Sequence, residues 1–463
     1  MEEKIEEFNR NEERELVHKL DKRLLFFAMF GNLIKALDNS NLASAYISGM
    51  EEELHIQGLE YNWMGVLFML GYLCMQLPSN ILLSSMRPSR YLPTLELIWC
   101  ILTIAMACVQ SVQNVYFIRF LLGLAEAGFY PGIVFLVGTW YTKKELGKRL
   151  AFLTICGSFG SGLSGVVQAV MLKTMDGLFG LSGWRWMFLF DASITLLLAY
   201  LGYKYLPDYP HNTEWLTERE RWVATQRVKS KQEDSHLSQL TKIEKLRLLI
   251  KNKYLYAFIF GWASIHIALG ASTVLGIVIK KLGHDAITAN LLTTPDTIVT
   301  MIAGLLNGFI SDKQRTRLWC ILVPAFFGLI GISMLSAFVQ PFPLLYTAFL
   351  LTHAGLGSLT SVVMTWASEV ISPNMHIRAM AIAIMNTSSS LTWTWTSLIF
   401  WPVTDAPYYH KGFTAGAVLV ILFMMSMVSV YLMQNQDIKE SSKEGFLPLL
   451  AEEDEEKQPV EIL

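Results

Sequence analysis

The sequence predicts an all-α membrane protein with twelve spanning helices in two six-helix halves. Three observations predict it. Hydrophobic residues make up 52% of the chain and charged residues only 16%, whereas soluble domains run near 25% charged. The apolar residues gather into twelve runs, each close to the roughly 20 residues that cross a bilayer as helix. A charge-rich segment at 207–253 divides the runs into two sets of six.

The first set falls near 23–47, 62–83, 91–110, 115–138, 150–172 and 185–206, so the first half spans 23–206. The second falls near 254–279, 287–310, 318–339, 343–366, 379–402 and 412–433, giving a half at 254–433. The central segment holds "NTEWLTERERWVATQRV", an amphipathic helix that would lie along the membrane surface or act as a solvated linker. Residues 1–22 are a charged tail with no apolar h-region, so no cleaved signal peptide is expected and the first run would target the protein. Residues 434–463 form an acidic tail, with "AEEDEEKQPV" expected to be disordered.

Orientation follows from lysine and arginine bias. "MRPSR", "KKELGKR", the central segment and "SDKQRTR" follow runs 2, 4, 6 and 8, whereas the loops after runs 1, 3 and 9 carry neither residue. Both termini are therefore expected in the cytoplasm. The 13 Trp, 17 Tyr and 26 Phe suit aromatic belts at the two interfaces. The five cysteines lie in apolar runs without CxxC or metal spacing and read as free buried thiols. The net charge of −2 says nothing by itself about nucleic-acid or acidic partners, and no nucleic-acid partner is expected. No P-loop, HExxH or nucleophile elbow is present, so no enzyme activity, cofactor or metal is expected.

The halves echo each other. "WYTKKELGKRLA" follows run 4 and "WASEVISPNMHIRAM" follows run 10, each with a tryptophan (Trp140, Trp366), an acid and then an arginine (Arg149, Arg378). This layout resembles the major facilitator superfamily, whose substrate sites lie between the halves near mid-membrane. "GFISDKQRTR" resembles its cytoplasmic loop motif: Gly308, Asp312 four residues on, then Lys313, Arg315 and Arg317. The corresponding "SNILLSSMRPSR" keeps Arg87 and Arg90 but lacks the glycine and the acid. "RFLLGLAEAGFYPG", with Arg119, Gly123, Glu126, Tyr130 and Pro131, resembles the fourth-helix signature of the anion:cation symporters. "LDNSNLASAYISGMEEELHIQGLEYNW", "GLSGWRWMFLFDA" and "LPDYPHNTEWLTERER" resemble the fungal allantoate permease group, most of all its pantothenate and biotin transporters.

Ionisable residues inside spans cost about 2.5–3.5 kcal/mol each on insertion scales, so they default to function or to a pair. Lys35 and Asp38 share a face of run 1; Arg119 and Glu126 share one of run 4, with Gly123 between them. His266 and His353 lie on runs 7 and 10, and Glu96, Asp191 and Asp296 on runs 3, 6 and 8. The resemblance implies that helices 1, 4, 7 and 10 line the cavity, with Asp38 and Glu126 coupling protons. Many relatives have a basic residue directly after the helix-1 acid; here it is Asn39, and Lys35 or Arg119 would face a substrate carboxylate. His266, His353 and Asn386, beside Trp393 and Trp395, are further candidates for substrate contact.

Structural alternatives stand beside these. Arg119 and Glu126 could be a pair that only orients their helix. Lys35 could snorkel to the headgroups, and the histidines could be core residues. Glu96, Asp191 and Asp296 read as structural, and Gly123 as a close-packing glycine. The functional expectation is a monomeric, proton-coupled importer of a small organic anion in the plasma membrane, pantothenate before biotin, or an allantoate- or nicotinate-like compound. The rival is a nutrient sensor with a transporter fold, although sensors of this kind usually carry longer cytoplasmic extensions.

Overall fold

Without water in the bilayer core, a backbone must satisfy its own polar groups, and an apolar run does so as a helix. The computed structural model describes residues 10–210, 212–229, 242–314, 316–371 and 375–443. Among the described residues there is no strand. The long helices are α1 (Phe26–Ala45), α2 (Glu60–Ser85), α3 (Pro88–Ala107), α4 (Val112–Trp140), α5 (Lys143–Met175) and α6 (Gly183–Tyr205). In the second half they are α7 (Lys253–Lys281), α8 (Ala286–Gln314), α9 (Leu318–Ser336), α10 (Phe342–Ile371), α11 (Met375–Phe400) and α12 (His410–Lys443).

Each expected run holds one of these helices. Among the described residues, nine are long and apolar enough to cross a membrane. Polar residues interrupt two of the others: Asn32, Lys35, Asp38, Asn39 and Asn41 on α1 and the serine–threonine run at 387–392 on α11. Two helices overrun their apolar runs. α5 starts at Lys143, where a capping box between Thr142 and Glu145 closes its first turn, and α12 continues to Lys443.

Several long helices are broken, and two breaks follow from proline. Pro131 has no N–H to offer the carbonyl of residue 127, and α4 breaks there into Val112–Glu126 and Phe129–Trp140. Pro295 does the same to residue 291, and α8 breaks into Ala286–Leu291 and Thr293–Gln314.

In the first half α1 packs on α5 and α6, α2 on α4, and α3 on α4 and α6. In the second, α7 packs on α11 and α12, α8 on α10, and α9 on α10 and α12. The halves meet along α5–α8 and α2–α11. The α2–α4 contact is backbone to backbone. A Cβ at Gly123 would press on the Phe68 carbonyl oxygen and lie 2.8 Å from the Tyr72 nitrogen. Gly71 faces the Phe120 carbonyl in the same way.

Polar contacts tie the halves together at the end away from the termini. The Asn62 amide donates to the carbonyls of Trp401 (2.8 Å) and Ser397 (3.2 Å), and its oxygen accepts from the Val403 N–H (2.9 Å). Lys281 pairs with Glu51 at 2.9 Å and Lys280 with Glu52 at 2.6 Å. At the same end, Arg185 at the start of α6 grips Glu53 in a fork of 3.0 and 2.8 Å, with Trp184 Nε1 adding a bond of 2.7 Å.

The terminal end corrects two expectations. Residues 10–20, read as tail, form a helix (Arg10–Leu20) that continues into α1. The helix Glu218–Lys229 of the central segment neither lies free nor reads as a surface helix. It packs on Arg10–Leu20 and on the second part of α4, and its buried Arg227 pairs with Glu13 and Glu145. Arg149 binds both oxygens of Asp21 at 2.8 and 2.9 Å. The cysteines are free, as expected, but Cys74 and Cys108 are exposed rather than buried. The acidic stretch "AEEDEEKQPV" lies outside the described residues.

Two predictions follow from this packing. Gly123→Leu should strongly reduce the abundance of folded protein, whereas Gly138→Ala, on the same helix with nothing within 4 Å, should leave it unchanged; fluorescence-detected gel filtration checks both. The second concerns Glu53, in the loop after α1. Burial pushes its carboxyl up, but hydrogen bonds from Ser182, Arg185 and Trp184 outweigh that and hold it below the usual glutamate range. A depressed folded value means that the contribution is present above the unfolded value and is lost as pH falls through the folded one. Glu53→Gln should therefore lower the melting temperature at pH 7 and progressively less in acid. An equal loss at pH 7 and at pH 4 would show that the charge plays no part.

Candidate functional site

Between the halves lies a cavity of about 490 Å³, within the range of small-molecule sites. α1 and α5 line it with Asn39, Ser44 and Ser164, α2 with Tyr61 and Asn62, and α7 with Ser272 and Thr273. α8 adds Thr293, Asp296 and Thr297, and α11 adds Trp393, Thr394 and Ser397. Two of its lining side chains carry formal charge: Arg119 from α4 and Asp296 from α8. The rest of the wall is hydroxyl, amide, aromatic and aliphatic, the last from residues such as Ile47, Val66, Met69 and Leu275.

Arg119 is 6% exposed. Its Nε reaches the Met64 carbonyl only at 3.5 Å, and its guanidinium lies 4.4 Å from the centre of the Phe68 ring. Five donors with one long bond leave capacity for an anion. Among the described residues it forms no ion pair with Glu126. The reason is spacing: seven residues on a helix are about 10.5 Å of rise. Glu126 instead accepts from the Asn39 amide at 3.1 Å. The reading of Arg119 and Glu126 as a simple pair is therefore corrected.

The carboxyls of the first half lie behind the wall. The Asn41 amide donates to Asp191 at 3.0 Å and to Asp38 at 3.5 Å. Its oxygen accepts from Ser164 at 3.3 Å, and Ser164 bonds Ser44 at 3.1 Å. Ser44, Ser164 and Asn39 all face the cavity, so two short polar chains run from it, one to Asp38 and Asp191 and one to Glu126. One oxygen each of Asp38, Asp191 and Glu126, and both oxygens of Glu96, are buried without a partner. Lys35 does not snorkel: it is 9% exposed, with its ammonium 5.0 Å from the centre of the Tyr72 ring. It does not line the cavity, but its charge and that of Arg119 both attract the Glu126 carboxylate.

The second half departs further from expectation. His353 does not face the cavity directly; its Nδ1 meets Asp296 Oδ2 at 2.5 Å, and Asp296 is the lining residue. His266 is turned to its own helix, with Nδ1 on the Trp262 carbonyl at 2.8 Å and its ring against the Trp262 indole. Asn386 is exposed and Trp395 is 61% exposed, so neither lines the cavity, while Trp393 does. In the loop motif, Gly308 has nothing crowding it and Lys313 is exposed. Arg315 lies outside the described residues. The motif acts through Arg317, which binds Asp312 at 2.7 Å and Glu369 at 2.6 Å.

Sequence reasoning missed Asn39, Asn41, Ser164 and Asp296. Asn39 was noticed only as the lack of a cation. Asp296 and His353 could have been paired from sequence, because two ionisable residues on neighbouring spans are each costly alone.

A helical bundle of two six-helix halves with a polar cavity between them is the architecture of one large transporter group. The model of the Major Facilitator Superfamily matches residues 28–397. The chain belongs to the Major Facilitator Superfamily. It is a transporter rather than an enzyme. It is similar to the MFS-type transporter cnsO of Penicillium expansum, with 30% identity over 94% of this chain and 85% of that one. It is also similar to the pantothenate transporter liz1 of Schizosaccharomyces pombe, 26% identical over 94% of this chain and 85% of the relative. Among solved structures it matches an inward-facing, unoccupied bacterial homologue of the lysosomal transporter Spinster. The TM-score is 0.68 at 13% identity, covering 90% of this chain and 97% of that one. That superfamily's alternating access places substrate between the halves, where the cavity lies.

Thiol labelling tests the lining. With Cys74, Cys108 and Cys156 replaced, Ser44→Cys and Ser272→Cys, from opposite walls, should react with a small charged methanethiosulfonate. Lys35→Cys should stay unreacted. Equal labelling of all three would show that Lys35 belongs to the cavity.

Proposed function

We propose that the chain is a proton-coupled importer of a small organic anion, with a carboxylate vitamin of the pantothenate kind as the first candidate. Biotin and allantoate- or nicotinate-like compounds come next. The observation that carries this reading is Arg119: a buried guanidinium on the cavity wall with no ion pair among the described residues. An anion entering a low-dielectric cavity needs such a partner. Its likeness to the pantothenate transporter liz1 supports the substrate class.

Coupling rests on the carboxyls behind the wall. Asp38 and Glu126 each have one oxygen with an amide donor and one without. Either state of such a group can be accommodated, because the amide serves the charged form and the free oxygen can carry the proton. Arrival of a negative substrate at Arg119 draws that charge away from Glu126 and favours proton uptake there. Lys35 stays behind as the fixed counter-charge. Rocking of the halves then carries anion and proton across together. The lysine–arginine bias supports cytoplasmic termini, import into the cell fits a plasma-membrane location, and one chain builds the whole cavity, so a monomer suffices.

Uptake of labelled pantothenate in cells expressing the chain should rise as external pH falls and collapse with a protonophore. Uptake that ignores both and requires sodium would refute proton coupling. Arg119→Gln should abolish saturable uptake, and Lys35→Ala should reduce accumulation more than affinity. Glu126→Gln fixes the protonated form. It should still fold and exchange substrate in counterflow, yet fail at net accumulation. Normal accumulation per surface molecule would remove Glu126 from the mechanism.

A further inference from the structure

Asp296 is the second charged group of the cavity wall, and the proposed transport cycle leaves it unused. It is 6% exposed. Its Oδ2 bonds His353 Nδ1 at 2.5 Å, and its Oδ1 is buried with no partner among the described residues. His353 is 2% exposed, with Nε2 also unpartnered. Thr293 and Thr297 stand one turn or less from Asp296 and line the same cavity. A buried carboxylate oxygen left without a donor is costly, and a ligand donor is the partner such a site lacks.

We propose that the substrate is a monocarboxylate whose far end carries neutral donors, hydroxyl, amide or ureido. Arg119 takes its carboxylate from the first half, and Asp296 accepts its donors from the second. This rests on Arg119 as the anion site and adds the chemistry of the opposite end. It also assigns Asp296 an excluding role, because a dicarboxylate long enough to reach from Arg119 would bring like charge against it. His353 is a positioning residue: it holds one oxygen of Asp296 and leaves the other for the ligand. The hydroxyls beside Asp296 already donate to backbone carbonyls, Thr293 to Asn290 at 2.7 Å and Thr297 to Thr293 at 3.3 Å, so toward a ligand they add acceptors to the free oxygen of Asp296.

The test is equilibrium binding to the purified full-length chain, with pantothenate, adipate and 6-aminohexanoate as probes. Pantothenate should bind at least about 100-fold tighter than adipate, a difference of about 2.8 kcal/mol at 1.4 kcal/mol per tenfold. Asp296→Asn, which keeps the shape, should narrow that ratio to about tenfold or less by admitting adipate. His353→Phe should narrow it in the same direction, and His353→Gln, which retains a donor, should largely restore it. A merely structural role would weaken all probes together and leave the ratio fixed. Adipate binding within tenfold of pantothenate in the native chain overturns the proposal, as does an unchanged ratio in Asp296→Asn. Tighter binding of 6-aminohexanoate overturns it in favour of a zwitterion. If Arg119→Gln still binds pantothenate normally, the anion site falls and this inference with it. If uptake proves independent of pH while the ratios behave as stated, only the coupling falls.

Discussion

Everything in this protein's interior depends on one constraint: a charge between its helices must find its partner within the protein, because hydrocarbon supplies none. Mid-helix in the first half there are four acids, Asp38, Glu96, Glu126 and Asp191, and two cations, Lys35 and Arg119, all buried. Four against two leaves an excess of two, so this interior is neutral only when two of the acids carry protons. The partners supplied are neutral: one asparagine amide serves Glu126, and another is shared by Asp38 and Asp191. Neutral donors do not fix a carboxyl in its charged form as a bound arginine would. The two ends of the bundle show the contrast. At the terminal end Arg149 grips Asp21 with two bonds and at the opposite end Arg185 grips Glu53 with two, arrangements suited to holding charge rather than exchanging it.

The same constraint shapes the backbone. Arg119 and Glu126 hang from one unbroken segment, Val112–Glu126, whose close approach to α2 is set by Gly71 and Gly123. The helix breaks immediately after Glu126, where Pro131 deprives residue 127 of its partner. The charged part of α4 is thus locked against α2, while Phe129–Trp140 packs on the docked helix Glu218–Lys229 and Trp140 bonds the Asp208 carbonyl at 2.9 Å.

The bundle was legible because hydrophobicity over about 20 residues is a strong signal, and each of the twelve runs holds a helix. The ends were not. Arg10–Leu20 and Glu218–Lys229 are mostly charged, and their few apolar residues, Leu16, Leu20, Val223 and Ala224, are buried where the two helices pack together, a tertiary effect that a 20-residue hydrophobicity window does not see. The site was half legible. Arg119 stood out because an arginine in a span is expensive. Asn39, Asn41 and Ser164 did not, because amides and hydroxyls are common in spans and only their neighbours across α1, α4, α5 and α6 give them a role. Lys35 shows the same limit: sequence offers it as a substrate contact or as an interfacial anchor, whereas its place, buried over Tyr72 and off the cavity wall, depends on a neighbouring helix.

Which seam moves can be argued from what each is made of. Within the halves, contacts such as Gly123 against Phe68 are dry and backbone-close, and nothing could replace them if they parted. Between the halves the seam is polar. Asn62 makes three bonds across it to α11 and the loop beyond, Asn290 reaches Ser48 at 2.9 Å, and Thr294 reaches the Gly162 carbonyl at 2.9 Å. Water entering an opening cleft can take over such bonds at small cost. It cannot repay the loss of close van der Waals packing. The halves are therefore the rigid bodies and the polar seam is where they separate, with Arg119 and the buried acids behind it held in the first half and Asp296 facing them from the second.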